Sequence, residues 1–262
     1  MNTNQLPKDL AKLLNNTTHQ LIHMGESRDT VTKYEKNSET YFLKTGKISH
    51  VSKREHEMLA WLNGKLPVPQ VIYHIETEDM YYLLTTSAKG IMSCTERGLA
   101  YDEESITHAL ADGLLQFQSI DISTCPLENK LEQRLKTARY NIENNLVDLN
   151  RMAYTFSENK RFQTPIALYE YLVKNKPDEE LHLTHGDFCL PNIFVAGKKA
   201  TGFIDMGHGG VCDKYQDIAL CLRSLRYNSF NNDDDKALLF ECLGITPDWD
   251  KIDYYTLLDV LF

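Results

Sequence analysis

Apolar and polar positions alternate along Thr30-Val-Thr-Lys-Tyr and again along Thr40-Tyr-Phe-Leu-Lys44, with the polar group Asn37-Ser38-Glu39 between them. A period of two on either side of a polar turn predicts a β-hairpin. Over residues 49–62 the period lengthens: Val51, Met58, Leu59 and Leu62 share one helical face, Ser49 can cap the start and Asn63-Gly64 ends the run. Val68-Pro-Gln-Val-Ile-Tyr and Met80-Tyr-Tyr-Leu-Leu-Thr predict two more strands, and Ser87-Ala-Lys-Gly90 a connector. With a helix-like start over Pro7–Leu14, the first part of the chain reads as antiparallel β with one inserted helix. Residues 105–119, 129–146, 164–175, 215–227, 233–243 and 250–261 then carry helical periodicity. Between them Ile193-Phe-Val-Ala and Thr201-Gly-Phe-Ile, joined by Gly197-Lys-Lys, predict a second hairpin. The expected architecture is α+β and bilobal, with residues 1–90 as the β lobe with its hinge, residues 91–262 as the helical lobe, and a ligand cleft between them.

Composition narrows the class. At 262 residues, 42% hydrophobic, the chain can bury a core without disulfides or a structural metal. No apolar run approaches the roughly 18 residues a membrane helix needs. The N-terminus lacks the pattern of a secretory signal, so the expected protein is soluble and cytoplasmic, with no membrane partner. The six cysteines form no C-x-x-C pair and read as reduced thiols. A formal charge of −9 repels nucleic acid and favours cationic small molecules, a field that many ordinary proteins share.

The chemistry concentrates in Thr184-His185-Gly-Asp187-Phe-Cys-Leu-Pro-Asn192, followed by Gly202-Phe-Ile-Asp205. An aspartate, an asparagine five residues on, and a second aspartate after the next strand match the working parts of a kinase catalytic loop. Asp187 would orient or deprotonate an attacking hydroxyl, while Asn192 and Asp205 would offer oxygen ligands to Mg2+ on the nucleotide phosphates. The competing reading makes all three turn residues at strand ends. Lys44 ends an apolar strand, where an ammonium is costly unless paired. Glu55 lies on the apolar face of the following helix and is the expected partner; pairing with Lys53 or Arg54 is the alternative. The Met24-Gly25-Glu26-Ser27 segment could cap a phosphate through Ser27 and backbone N–H groups, or be an ordinary turn. His185 reads as a structural residue of the loop rather than a base.

These residues, together with Tyr41-Phe-Leu-Lys44, Trp61-Leu-Asn-Gly-Lys-Leu-Pro-Val-Pro69, Ile120-Asp-Ile-Ser-Thr-Cys-Pro126, Asp213-Lys-Tyr-Gln-Asp217 and Tyr254-Tyr-Thr-Leu-Leu-Asp259-Val-Leu-Phe262, resemble the aminoglycoside 3'-phosphotransferases across most of the chain. The resemblance implies a protein-kinase-like fold and transfer of a phosphate from ATP, or GTP, to an aminoglycoside hydroxyl. It also implies that Phe42 stacks on the base and that the Thr86-Ser-Ala88 connector hydrogen-bonds it. On the acceptor side it implies that Asp259 and the carboxylate at Phe262 bind substrate amines, and it places His208 and Asn228 beside the acceptor. A monomer or weak dimer is expected.

Departures from the family lie on that acceptor side. His208 stands where an arginine is usual, Tyr227-Asn228 replaces an acidic pair, and Val260 replaces a glutamate. Residues 150–161 hold three basic residues against one acid where relatives are acidic. Two rival readings therefore stay open: a kinase for another hydroxylated metabolite, and a nucleotide-binding relative without catalysis.

Overall fold

The computed structural model describes residues 6–22, 29–95, 98–157, 161–227 and 233–262. A helix over Lys8–Leu13 (α1) and a strand over Thr18–Ile22 (β1) precede the predicted hairpin, whose strands are Thr30–Lys36 (β2) and Glu39–Lys47 (β3). Asn37 and Ser38 both take positive φ, 52° and 67°, forming a two-residue turn whose twist matches the strands it joins. The helix His50–Leu62 (α2) follows, then strands Val71–Glu76 (β4) and Met80–Thr86 (β5). Together the strands form one five-stranded antiparallel sheet in the order β1-β2-β3-β5-β4. β4 begins at Val71 rather than at Val68, because Pro67 and Pro69 cannot donate to a ladder.

Alternation along β3 decides what each face does. Leu43 points to a small cluster with Leu10, Leu14, Tyr34 and Leu84, which α1 covers. Phe42 and Lys44, one residue either side, share the opposite face. α2 starts in a reciprocal capping box: the Ser52 N–H donates to Ser49 Oγ at 3.1 Å and the Ser49 N–H to Ser52 Oγ at 3.0 Å. Its Met58, Leu59 and Leu62 join the main core, which continues into the helical part of the chain.

After the connector come three two-residue strands, Ile91–Met92 (β6), Cys94–Thr95 (β7) and Gly98–Leu99 (β8). The helices Glu103–Gln118 (α3), Leu131–Glu143 (α4), Leu149–Thr155 (α5) and Pro165–Lys174 (α6) lead to the strand Leu181–Thr184 (β9). The second hairpin is Ile193–Ala196 (β10) with Lys199–Phe203 (β11), and β10 also pairs with β6 directly beyond the connector. Strand Gly210–Asp213 (β12) pairs with β9, and helices Tyr215–Tyr227 (α7), Asp233–Leu243 (α8) and Trp249–Asp259 (α9) close the lobe. Phe117 of α3 meets Phe203 edge-on at 4.8 Å and Phe188 at 6.2 Å. Such contacts contribute about 0.5–1.5 kcal/mol each beyond burial, and here they pack β11 and the segment after β9 onto α3. The fold is the expected α+β one, a β-sheet lobe followed by a helical lobe.

Candidate active site

Lys44 Nζ lies 2.9 Å from Glu55 Oε2 and 2.8 Å from Asp205 Oδ1, so one ammonium ties the sheet, α2 and the segment after β11 together. Glu55 is buried. Burial alone would lower the lysine's pKa, but the Glu55 and Asp205 carboxylates outweigh it and hold the ammonium charged well above its ordinary value. Arg54, the alternative partner for Glu55, is used differently. Its Nη2 donates to the Gly209 carbonyl at 2.8 Å and its Nε to the Gly207 carbonyl at 3.3 Å, pinning α2 to the segment that carries Asp205.

Gly207 makes that contact possible. A Cβ there would stand 2.5 Å from Val51 Cγ1 and 2.9 Å from the Val51 carbonyl oxygen. Gly207→Ala should therefore push α2 outward, costing about 1–3 kcal/mol and weakening nucleotide affinity. Chemical denaturation and nucleotide titration of the variant check both effects.

The catalytic loop is held from beneath by α7. Asp217, buried, accepts the His185 N–H at 2.6 Å and the Gly186 N–H at 2.9 Å, and Ser224 Oγ accepts the Leu190 N–H at 3.0 Å. Desolvation pushes Asp217 up to about 7, while the two N–H bonds pull against it. Gly186 sits at φ 80°, and a Cβ there would collide with the His208 carbonyl oxygen at 1.9 Å. His185 Nδ1 accepts the Asp187 N–H at 3.3 Å and Nε2 lies 2.9 Å from the Ile204 carbonyl oxygen. This pattern requires the neutral ring protonated at Nε2. His185 thus ties the loop to the strand end before Asp205, a structural role.

Asp187 is partly exposed, and its Oδ2 accepts the Asn192 Nδ2–H at 3.0 Å. Asn192 Nδ2 also donates to the Asp187 carbonyl at 3.0 Å, which fixes the amide and leaves Oδ1 as its outward oxygen. The Ile204 N–H donates to the Asn192 carbonyl at 3.1 Å, placing Asp205 next to it in a left-handed conformation with φ 59°. Lys44, Glu55, Asp187, Asn192 and Asp205 therefore form one connected network. The donor set fits a hard cation: one amide oxygen and one carboxylate that is about half exposed, with only Oδ1 engaged by Lys44. Among the described residues no group of three or more His, Cys, Asp or Glu could hold a metal alone, so phosphate oxygens would have to complete its shell.

Residues 18–255 match the model of the phosphotransferase enzyme family. The chain is 37% identical over 256 residues to an aminoglycoside 3'-phosphotransferase of Enterococcus faecalis, covering 98% of this chain and 90% of that one. It is 41% identical over 209 residues to another from Staphylococcus aureus, covering 80% and 78%. The chain belongs to the aminoglycoside 3'-phosphotransferase family. A crystal structure of an aminoglycoside-3'-phosphotransferase of type VIII superposes with a TM-score of 0.84 at 24% identity over 97% of both chains, and so shares the fold.

Within this phosphotransferase the other expected positions fall as follows. Phe42 lies on the face of β3 that carries Lys44, opposite Thr85. The Thr86 N–H is spent on the Gln70 carbonyl at 3.0 Å and the Ser87 N–H on the Thr40 carbonyl at 3.1 Å, so the carbonyls of the connector and the Ala88 N–H are what it has to offer a base. Ser27, its loop and Asn228 lie outside the described residues. His208 is exposed, yet desolvation first, and then Arg134, His185 and Arg54, lower its pKa to about 4 despite the attraction of Asp187. Asp259 is ion-paired to both Arg151 and Arg223, and Arg151 Nη1 also donates to the Phe262 main-chain oxygen at 3.2 Å. The Arg134 guanidinium stacks 4.4 Å from the centroid of the Phe262 ring.

Sequence reasoning quoted Asp217 only within a family stretch, weighed Arg54 only as a partner for Glu55, and gave no role to Arg134, Arg151 or Arg223. Asp217 had a usable signal, a carboxylate inside the apolar run of α7. The partners of Asp259 had none, since they come from separate helices.

His185 is buried and desolvation depresses its pKa, so it makes the unfolded chain bind more protons than the folded one below the ordinary histidine value; Asp217, raised to about 7, does the opposite over the same window. The histidine contribution to stability rises with pH and is lost as pH falls, whereas the Asp217 contribution is lost as pH rises. Asp217→Asn, which removes the opposing carboxyl, should therefore show a urea midpoint that climbs more steeply between about pH 5 and about pH 7.5 than the wild type's, and an equal or shallower climb would contradict the burial of these two groups.

Proposed function

We propose that the enzyme transfers the γ-phosphate of ATP to a hydroxyl of an aminoglycoside, the 3' hydroxyl, and so confers resistance to the antibiotic. The observation that carries this reading is the connected network of Lys44, Glu55, Asp187, Asn192 and Asp205 in a chain of this family. The acceptor oxygen attacks the γ-phosphorus as the bond to the β–γ bridging oxygen breaks. ADP leaves with that electron pair, and the acceptor's proton passes to the Asp187 carboxylate. Lys44, held by Glu55, places positive charge on the phosphates. Asn192 Oδ1 and the carboxylate of Asp205 would hold Mg2+, which supplies charge neutralisation on the phosphate oxygens. Phe42 and the Thr86–Ala88 connector would take the base, which leaves a choice between ATP and GTP to the backbone groups there. The lobes divide at residue 90 in this reading, and the expected setting is a soluble, cytoplasmic protein.

The test is turnover. Purified protein, Mg2+ and either nucleotide are incubated with kanamycin, neomycin and a set of simple sugars and amino alcohols, and products are read by mass spectrometry. Phosphorylated aminoglycoside is expected. Phosphorylation of the simple alcohols alone would replace the acceptor, and nucleotide binding with no product would remove the catalytic reading.

A further inference from the structure

On the acceptor side of the site, guanidinium groups already pair with the anionic positions a polycation would use. Asp259 has a single carboxylate, and two guanidinium groups, Arg151 from α5 and Arg223 from α7, pair with it. Arg223 lies close enough to Asp187 and Cys189 to feel both, so this cluster borders the catalytic aspartate. Arg134 adds a third guanidinium over the Phe262 ring. The Phe262 main-chain oxygen, a second natural acceptor for an amine, already receives Arg151 Nη1 at 3.2 Å. Arg151 spans both acceptors.

We propose that Arg151 is a specificity-determining residue: it occupies the place where an acceptor's ammonium would pair with Asp259 and the Phe262 oxygen. This selects acceptors that present a neutral hydroxyl toward α9. The inference rests on the reading of the site as an aminoglycoside kinase and refines its substrate class. An incoming ammonium must either displace Arg151 or approach two fixed guanidinium groups, and both cost affinity. Its side chain is 33% exposed against 12% for Asp259, so it can leave without opening the core. Should it leave, Arg223 still neutralises Asp259, and no unpaired buried carboxylate remains to unfold the protein.

Calorimetric titration of kanamycin, in the presence of a non-hydrolysable ATP analogue, tests this with Arg151→Lys, Arg151→Ala and Arg151→Glu. The lysine variant should stay near the wild type. The alanine variant should bind roughly tenfold tighter, as a released charge-assisted hydrogen-bond site allows. The glutamate variant should bind tighter still, with a gain that shrinks as salt rises. In turnover the change should appear in KM rather than in kcat. Equal or weaker binding by both the alanine and glutamate variants, with melting temperatures like the wild type's, would overturn the proposal, as would no detectable kanamycin binding by any variant. Variant-dependent binding without phosphorylated product would instead retire the catalytic reading and leave this one standing.

Discussion

Asp187→Ala is expected to lower kcat by roughly a hundred- to ten-thousand-fold, the span general-base groups contribute, while nucleotide affinity changes little. Asp187 is partly exposed, and its contacts to Asn192 are hydrogen bonds rather than packing. Removing the carboxylate therefore takes away the proton acceptor without emptying the core. The loop's position depends on Asp217, Ser224 and His185, none of which the substitution touches. Single-turnover rates with saturating nucleotide separate the effect from binding. A variant within about threefold of the wild-type rate would place the proton elsewhere.

The second large effect belongs to Lys44→Met, which should damage both activity and stability. Loss of a preorganised cation on the phosphates should reduce kcat/KM by roughly a hundred- to a thousandfold, comparable to removing one oxyanion-hole donor. The same change leaves Glu55 buried beside Asp205 with no cation, a cost of about 3 kcal/mol by analogy with broken buried pairs. The two effects can be pulled apart. Lys44→Met with Glu55→Leu removes the stranded carboxylate and should recover most of the lost stability while activity stays low. If activity returned with stability, Lys44 would be a folding residue rather than a phosphate ligand.

Much of this site was legible because its parts are local. Alternation along Tyr41–Lys44 fixes which face of β3 carries Phe42 and Lys44, and the helical wheel of residues 49–62 puts Glu55 on the buried stripe. Asp187 and Asn192 belong to one loop, and Asp205 follows the next hairpin. What stayed hidden is non-local or short. α5 spans two turns, below the window over which a helical period can be recognised. β9 and β12 are four residues each and meet only after the loop and hairpin have folded between them. In the sequence, the segment 150–161 shows only an excess of positive charge. In the folded chain its arginines do separate things: Arg161 pairs with Asp253 at 2.7 Å and stacks on Phe162 and Tyr171, whereas Arg151 turns inward to Asp259. The basic departure of this segment thus resolves into a specific residue, Arg151, instead of a diffuse field.

The account rests on both lobes gripping one metal-bound nucleotide. Manganese paramagnetic resonance with a non-hydrolysable ATP analogue reads that grip directly, comparing the wild type with Asp205→Ala and Asn192→Ala. Against manganese and nucleotide without protein, the wild type should change the spectrum of the manganese–nucleotide complex, and the two variants should leave it as it is in solution. Manganese–nucleotide binding by Asp205→Ala as tight as by the wild type would contradict the assignment of this network as the phosphate site.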